Sequence, residues 1–211
     1  MVLVFAESNN GTFKKASLEV VQYASKVAAL LGTTTTAIVF GEANEVALLG
    51  NYGANKVIHM ADNRLAVMDA KVYAKVLATV ATEHQATVIV FSNNITAKAV
   101  APRVAARLQA GLVSGAISLP DTNNGFCLKK GVFAGKAFAY VSIHSPIKVI
   151  SITPNSFPIE KSDALAEVVS ATADIQDSDF AIKVESVQKV SGIVPLSEAE
   201  LVVSGGRGLK G

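Results

Sequence analysis

Val2-Leu3-Val4-Phe5-Ala6 is a near-continuous apolar run, and from Lys15 it gives way to Leu18, Val21, Ala24, Ala28 and Leu31 at three- and four-residue spacing. A strand that is apolar throughout needs cover on both faces, as in a parallel sheet. The longer spacing draws one apolar stripe along a helix, with Glu19, Gln22, Ser25 and Lys26 on its other faces and Gly32 as its C-terminal stop. Strand followed by amphipathic crossover helix is the unit from which the rest of the chain is read.

The unit repeats. Residues 33–40 are β-branched and predict a second strand, then a short helix through Val46 and Leu49 ends near Gly53. Residues 56–60 predict a third strand. The next helix stacks Val72, Val76 and Val80 four apart beside Tyr73 and Leu77, leaving Lys71, Lys75 and Thr79 on a wetter face. Residues 87–91 form the fourth strand, and Thr96 is placed to cap a helix carrying Val100, Val104 and Leu108. Pro102 is tolerable there within the first turn or two. Parallel neighbours require crossovers, and crossovers are right-handed. The fold class is therefore α/β: a doubly wound, mostly parallel sheet in three α/β/α layers.

From Gly111 the period changes. Residues 112–119, 125–133, 137–143 and 148–153 are β-prone runs, with turns at Pro120-Asp121, Gly131 and His144-Ser145-Pro146, which adds antiparallel strands. Residues 154–179 carry Pro154 and Pro158 and read as a surface connection with one helical turn. Phe180, Ile182 and Val184 then alternate with polar or small neighbours as a half-exposed strand. The boundary falls near residue 196, giving an N-terminal domain at 1–196 and the start of a second, truncated one at 197–211.

Half of the 211 residues are apolar and 17% are charged, enough for a sizeable core. Nineteen basic against seventeen acidic residues leave a net charge of +2 with no dense Lys/Arg block, so no nucleic-acid surface is expected. Cys127 is the only cysteine, which excludes an internal disulfide and a cysteine metal cage. No signal or transit segment precedes Val2, and no apolar stretch reaches membrane-spanning length, so a cytoplasmic protein without membrane insertion is expected.

Little here carries catalysis. His59, His84 and His144 have no second ligand at metal spacing, and the serines, Ser114 included, lack G-x-S-x-G surroundings. Arg103 and Arg107 share one helix face, as an anion site or as a solvated or subunit-facing basic edge. Ligands of doubly wound sheets lie beyond the carboxyl ends of the strands. Those ends are Glu7-Ser8-Asn9-Asn10-Gly11 and Ser92-Asn93-Asn94, small and polar enough for a phosphate or adenosine pocket, and equally explained by turn and cap chemistry. Gly206, Gly208 and Gly211 satisfy G-x-G-x-x-G behind the strand-like Leu201-Val202-Val203, but that fingerprint needs a following helix to hold a pyrophosphate.

Three passages resemble the α subunit of electron transfer flavoprotein. They are Ala99-Val100-Ala101-Pro102-Arg103-Val104-Ala105-Ala106-Arg107-Leu108 with Gly111-Leu112-Val113-Ser114, Phe133-Ala134-Gly135-Lys136-Ala137 with Ile152 to Pro158, and Ser204-Gly205-Gly206-Arg207-Gly208-Leu209. In the second, Thr153 and Asn155 replace the family's usual Arg and Gly. The resemblance implies an adenine-nucleotide-hydrolase-like N-terminal domain of an electron carrier, not an enzyme. It implies a heterodimer with the β subunit, which would carry AMP. It further implies FAD in the full-length heterodimer, with electrons passing from acyl-CoA dehydrogenases of fatty acid β-oxidation to a quinone oxidoreductase. Only Gly205, Gly206, Arg207 and Gly208 carry over as cofactor-binding residues, as the first loop of the FAD domain, and this chain by itself is expected not to bind FAD. The alternative is an α/β domain that itself binds AMP or another adenine nucleotide between the Ser8 and Ser92 loops.

Overall fold

The computed structural model describes residues 1–123, 125–186, 196, 199, 201–206, 208 and 209. In chain order its strands and helices are β1 (Val2–Phe5), β2 (Ser8–Asn9), β3 (Thr12–Phe13), α1 (Lys15–Leu30), β4 (Thr35–Phe40), β5 (Lys56–Met60), α2 (Ala70–Glu83), β6 (Val88–Ser92) and α3 (Ile95–Leu108). Then come β7 (Gly111–Ala116), β8 (Cys127–Val132), β9 (Ala137–Ser142), β10 (Lys148–Ile152) and β11 (Glu167–Ser170). One nine-stranded sheet runs β11-β5-β4-β1-β6-β10-β7-β8-β9, parallel from β11 to β7 and antiparallel through β8 and β9. The three-layer α/β/α reading holds.

β1 shows why. Val2 and Val4 point into the core beneath α1, while Leu3 and Phe5 point into the core beneath α2 and α3. Both faces of the strand are dry, and each such side chain contributes about 1.5–3 kcal/mol relative to exposure. The sheet reverses its order at β1: β4 and β5 lie on one side, β6 and β10 on the other. The carboxyl ends of β1 and β6 therefore diverge into a crevice, the usual ligand position in this architecture.

Several expectations are corrected. Glu19 and Gln22 are not on a wet face of α1: both are buried under residues 155–160. The Glu19 carboxylate, 1% exposed, accepts the backbone N–H groups of Asn155, Ser156 and Phe157 at 2.8, 2.8 and 2.9 Å. Gln22 exchanges two hydrogen bonds with the Glu160 backbone. The connection at 154–179 is thus strapped to α1, and it contains β11, paired in parallel with β5. That strand is short and mostly exposed, so it has no apolar signature. Gly50 makes room for its approach, since a Cβ there would stand 2.2 Å from the Ala166 nitrogen.

Thr96 does not cap α3; Asn94 does, its Oδ1 accepting from the Ala97 N–H at 2.8 Å. Pro102 lies in the interior of α3, beyond its first two turns. Its missing N–H would have bonded the Lys98 carbonyl, and both residues are exposed, so water can serve that oxygen. Residues 180–186 form no strand: the chain has left the sheet edge and crosses α2, where Lys75 Nζ meets Asp179 at 2.6 Å and Asp69 accepts from the Ala181 N–H. Leu201-Val202-Val203 is exposed and forms no strand either.

Candidate functional site

A cleft of about 890 Å³ opens at the β1/β6 crevice. Part of its polar lining comes from the two loops expected from the sequence, Glu7 to Gly11 after β1 and Ser92 and Asn94 at the end of β6; Lys14, Lys15, Ser17, Glu42 and Asn155 supply the rest. The first loop is held on three sides. The Glu7 carbonyl accepts from Ser17 Oγ in α1 at 2.6 Å, Ser8 Oγ donates to the Glu42 carbonyl at 2.9 Å, and the Asn44 N–H donates to the Gly11 carbonyl at 2.8 Å. Gly11 has φ +78°, and a Cβ there would meet the Asn44 side chain at 2.8 Å. The positive φ favours glycine, and any Cβ would also have to displace the end of the Asn44 side chain.

The Glu7 carboxylate points across the crevice and is fixed there by Asn94 Nδ2 at 2.5 Å and Thr96 Oγ1 at 2.8 Å. These donors occupy half of its acceptor sites. Beneath it Phe5, Phe40 and Tyr73 form an aromatic floor, with centroids 5.2 Å (Phe5–Phe40) and 4.9 Å (Phe40–Tyr73) apart. Burial, and secondarily the nearby Glu7 charge, push the Tyr73 phenol well above its ordinary range, and its O–H donates to the Leu65 carbonyl at 2.5 Å. Ser92 is 9% exposed, and its Oγ has no hydrogen-bond partner among the described residues. Across the cleft stands the start of α1, whose N-cap Lys14 provides no side-chain cap and whose first turn has no acidic residue.

The other candidates are dispersed. His59 Nε2 lies 2.9 Å from the Gly41 carbonyl, His84 ends α2, and His144 is exposed. Among the described residues no group of His, Cys, Asp or Glu could hold a metal ion. Cys127 begins β8 as a half-buried free thiol. Arg103 donates back to the Ala99 carbonyl at 2.6 Å, and both Arg103 and Arg107 are exposed in this chain. Gly205, Gly206 and Gly208 are exposed and do not line the cleft, while Arg207 lies outside the described residues. Sequence reasoning named the loops but missed the fixed Glu7 carboxylate and the aromatic floor. A lone Glu and scattered Phe and Tyr acquire meaning only once the sheet order is known.

The structure defines a doubly wound α/β domain with its cleft at the switch point, where ligands of this architecture bind. Residues 2–177 match the electron transfer flavoprotein domain, and the chain belongs to that family. Over 99% of its length it is 29% identical to electron transfer flavoprotein subunit alpha of Bacillus subtilis, covering 65% of that protein. Over its whole length it is 30% identical to the α subunit of Thermoanaerobacterium thermosaccharolyticum, covering 66% of it. It is 32% identical to protein FixB of Clostridium saccharobutylicum over 99% of its own length and 64% of that protein. The chain thus spans just under two thirds of these relatives. No helix among the described residues is long and apolar enough to cross a membrane.

Proposed function

We propose that this chain is the N-terminal domain of an electron transfer flavoprotein α subunit, a cytoplasmic, non-catalytic part of an FAD-dependent electron carrier that docks a β subunit and supports the flavin domain. The observation that carries the reading is end-to-end similarity to α subunits over 99% of the chain or more. In the assembled carrier, electrons would pass from acyl-CoA dehydrogenases to a quinone oxidoreductase. Gly205, Gly206 and Gly208 are exposed and do not line the cleft, and the chain by itself is read as not holding FAD. The domain boundary near 196 and the assignment of Gly205, Gly206, Arg207 and Gly208 to a first flavin loop belong to this proposal. Mixing the 211-residue chain with the β subunit and resolving the products by size exclusion tests it. A one-to-one complex is expected, with no stoichiometric flavin absorbance on the chain alone. Separate elution at micromolar concentrations would sink the proposal.

A second reading, adenine-nucleotide binding by this domain itself, is favoured by the orphaned Ser92 hydroxyl. Buried polar groups are rarely left without a partner, and this one shares its cleft with a helix N-terminus whose first turn carries no acidic side chain, which suits an anion. Calorimetry with AMP, ADP and ATP decides it: saturable heat that Ser92→Ala weakens supports the reading, and no heat at millimolar nucleotide ends it.

A further inference from the structure

The cleft straddles the carboxyl edge of the sheet, and its two sides differ in chemistry. Along β1, Val2, Val4 and Ala6 point into the core beneath α1 and Leu3 and Phe5 into the core beneath α2 and α3, so the alternation carries Glu7 to the α3 side. Its half-buried carboxylate is fixed there by Asn94 and Thr96 and lines the cleft with acceptor sites to spare. Along β6, Val88 and Val90 point beneath α1, so the same alternation turns Ser92 to the α1 side. That hydroxyl, in a residue 9% exposed, has no hydrogen-bond partner among the described residues. The start of α1 lines the same cleft, with Lys15 exposed beside it.

These two sides ask for different groups. A helix start draws an anion, because its first N–H groups have no partner within the helix. A carboxylate with free acceptor sites repels a phosphate and takes hydroxyl donors instead, and two hydroxyls on adjacent carbons fill two such sites together. Glu42 also lines the cleft but is exposed, where water screens its charge. The volume of about 890 Å³ suits a small organic ligand. Within a nucleotide, the ribose carries the hydroxyl pair, and other doubly wound folds read its 2′-hydroxyl with an acidic side chain.

We propose that Glu7 is the sugar-reading residue of this cleft, accepting the 2′- and 3′-hydroxyls of a ribonucleoside 5′-phosphate whose phosphate lies at the start of α1. The inference rests on the nucleotide-binding reading above and adds to it an orientation and a preference for ribose over deoxyribose. The reverse orientation would set the phosphate against the Glu7 carboxylate.

Calorimetry of the 211-residue chain with AMP, 2′-deoxy-AMP and adenosine tests it, on wild type and on Glu7→Gln, with circular dichroism checking that the variant is folded. Wild type should bind 2′-deoxy-AMP roughly tenfold or more weakly than AMP, since a site built around a hydroxyl rejects the analogue that lacks it. Adenosine, without the phosphate, should also bind more weakly than AMP. Because Glu7 also holds Asn94 and Thr96, a lower affinity in Glu7→Gln would not separate ligand contact from a structural role; loss of the preference for AMP over 2′-deoxy-AMP would. If AMP and 2′-deoxy-AMP bind wild type equally, the sugar assignment is overturned while the nucleotide reading stands. A folded Glu7→Gln protein that keeps the full preference overturns the role of Glu7, and equal binding of adenosine and AMP overturns the place of the phosphate. If wild type binds none of the three, the nucleotide reading and this inference fall together. Should the variant not fold, the wild-type comparison decides.

Discussion

Replacing Glu19 is the sharpest test of how this fold is held together. Its carboxylate terminates three backbone N–H groups of the 155–157 loop at 2.8–2.9 Å, from a position in α1 that is 1% exposed. Hydrogen bonds to a charged acceptor contribute about 1.5–3 kcal/mol each, although three sharing one acceptor are not additive. Residues 155–157 are exposed or half-buried, so water can recover part of the loss. Glu19→Ala is therefore expected to cost about 2–4 kcal/mol, which for a chain of this size lowers Tm by roughly 5–15 °C. Glu19→Gln keeps one acceptor oxygen but turns an NH2 donor toward a backbone donor, and should cost about half as much. Thermal unfolding by circular dichroism reads both. A Glu19→Ala protein melting within a degree or two of wild type would refute the claim that this carboxylate fastens the strap.

Other perturbations test other parts of the account. Gly50→Ala places a Cβ 2.2 Å from the Ala166 nitrogen, so β11 should detach, with fast hydrogen exchange at Val168 and Val169 and a loss of about 3 kcal/mol or more. Pro102→Ala restores an N–H inside α3 and should stabilise by about 1–2 kcal/mol, the helix gain of roughly 3 being offset by greater unfolded-state freedom and a wet Lys98 carbonyl. The Gln176 backbone N–H, and next Lys75, hold the Asp179 carboxyl below its ordinary range. A depressed folded pKa stabilises fully above the unfolded value, about 4, and the benefit is lost as pH falls through the folded value. The stability gap between wild type and Asp179→Asn should accordingly be present at neutral pH and vanish in acid, as urea titrations across that range would show.

The parallel core was legible because its strands are dry on both faces and its helices carry one apolar stripe. Val2 to Phe5, Lys56 to Met60 and the Val72-Val76-Val80 stack lie where their periodicity puts them. What was not legible depended on long-range hydrogen bonding. Glu19 and Gln22 look like solvent residues until a loop more than 130 residues away supplies their partners. β11 is four residues long and exposed, and only its pairing with β5 makes it a strand. Asn94, not Thr96, is the cap because α3 already begins at Ile95, which leaves Thr96 inside its first turn. The cleft loops were named from strand order alone, but the unsatisfied Ser92 hydroxyl is a property of packing that no sequence pattern carries.

Size-exclusion chromatography with mass determination of the 211-residue chain, with and without the β subunit, tests the central claim most directly. The account predicts a one-to-one complex and no stoichiometric flavin absorbance on the chain alone. Separate elution of the two at micromolar concentrations would contradict it.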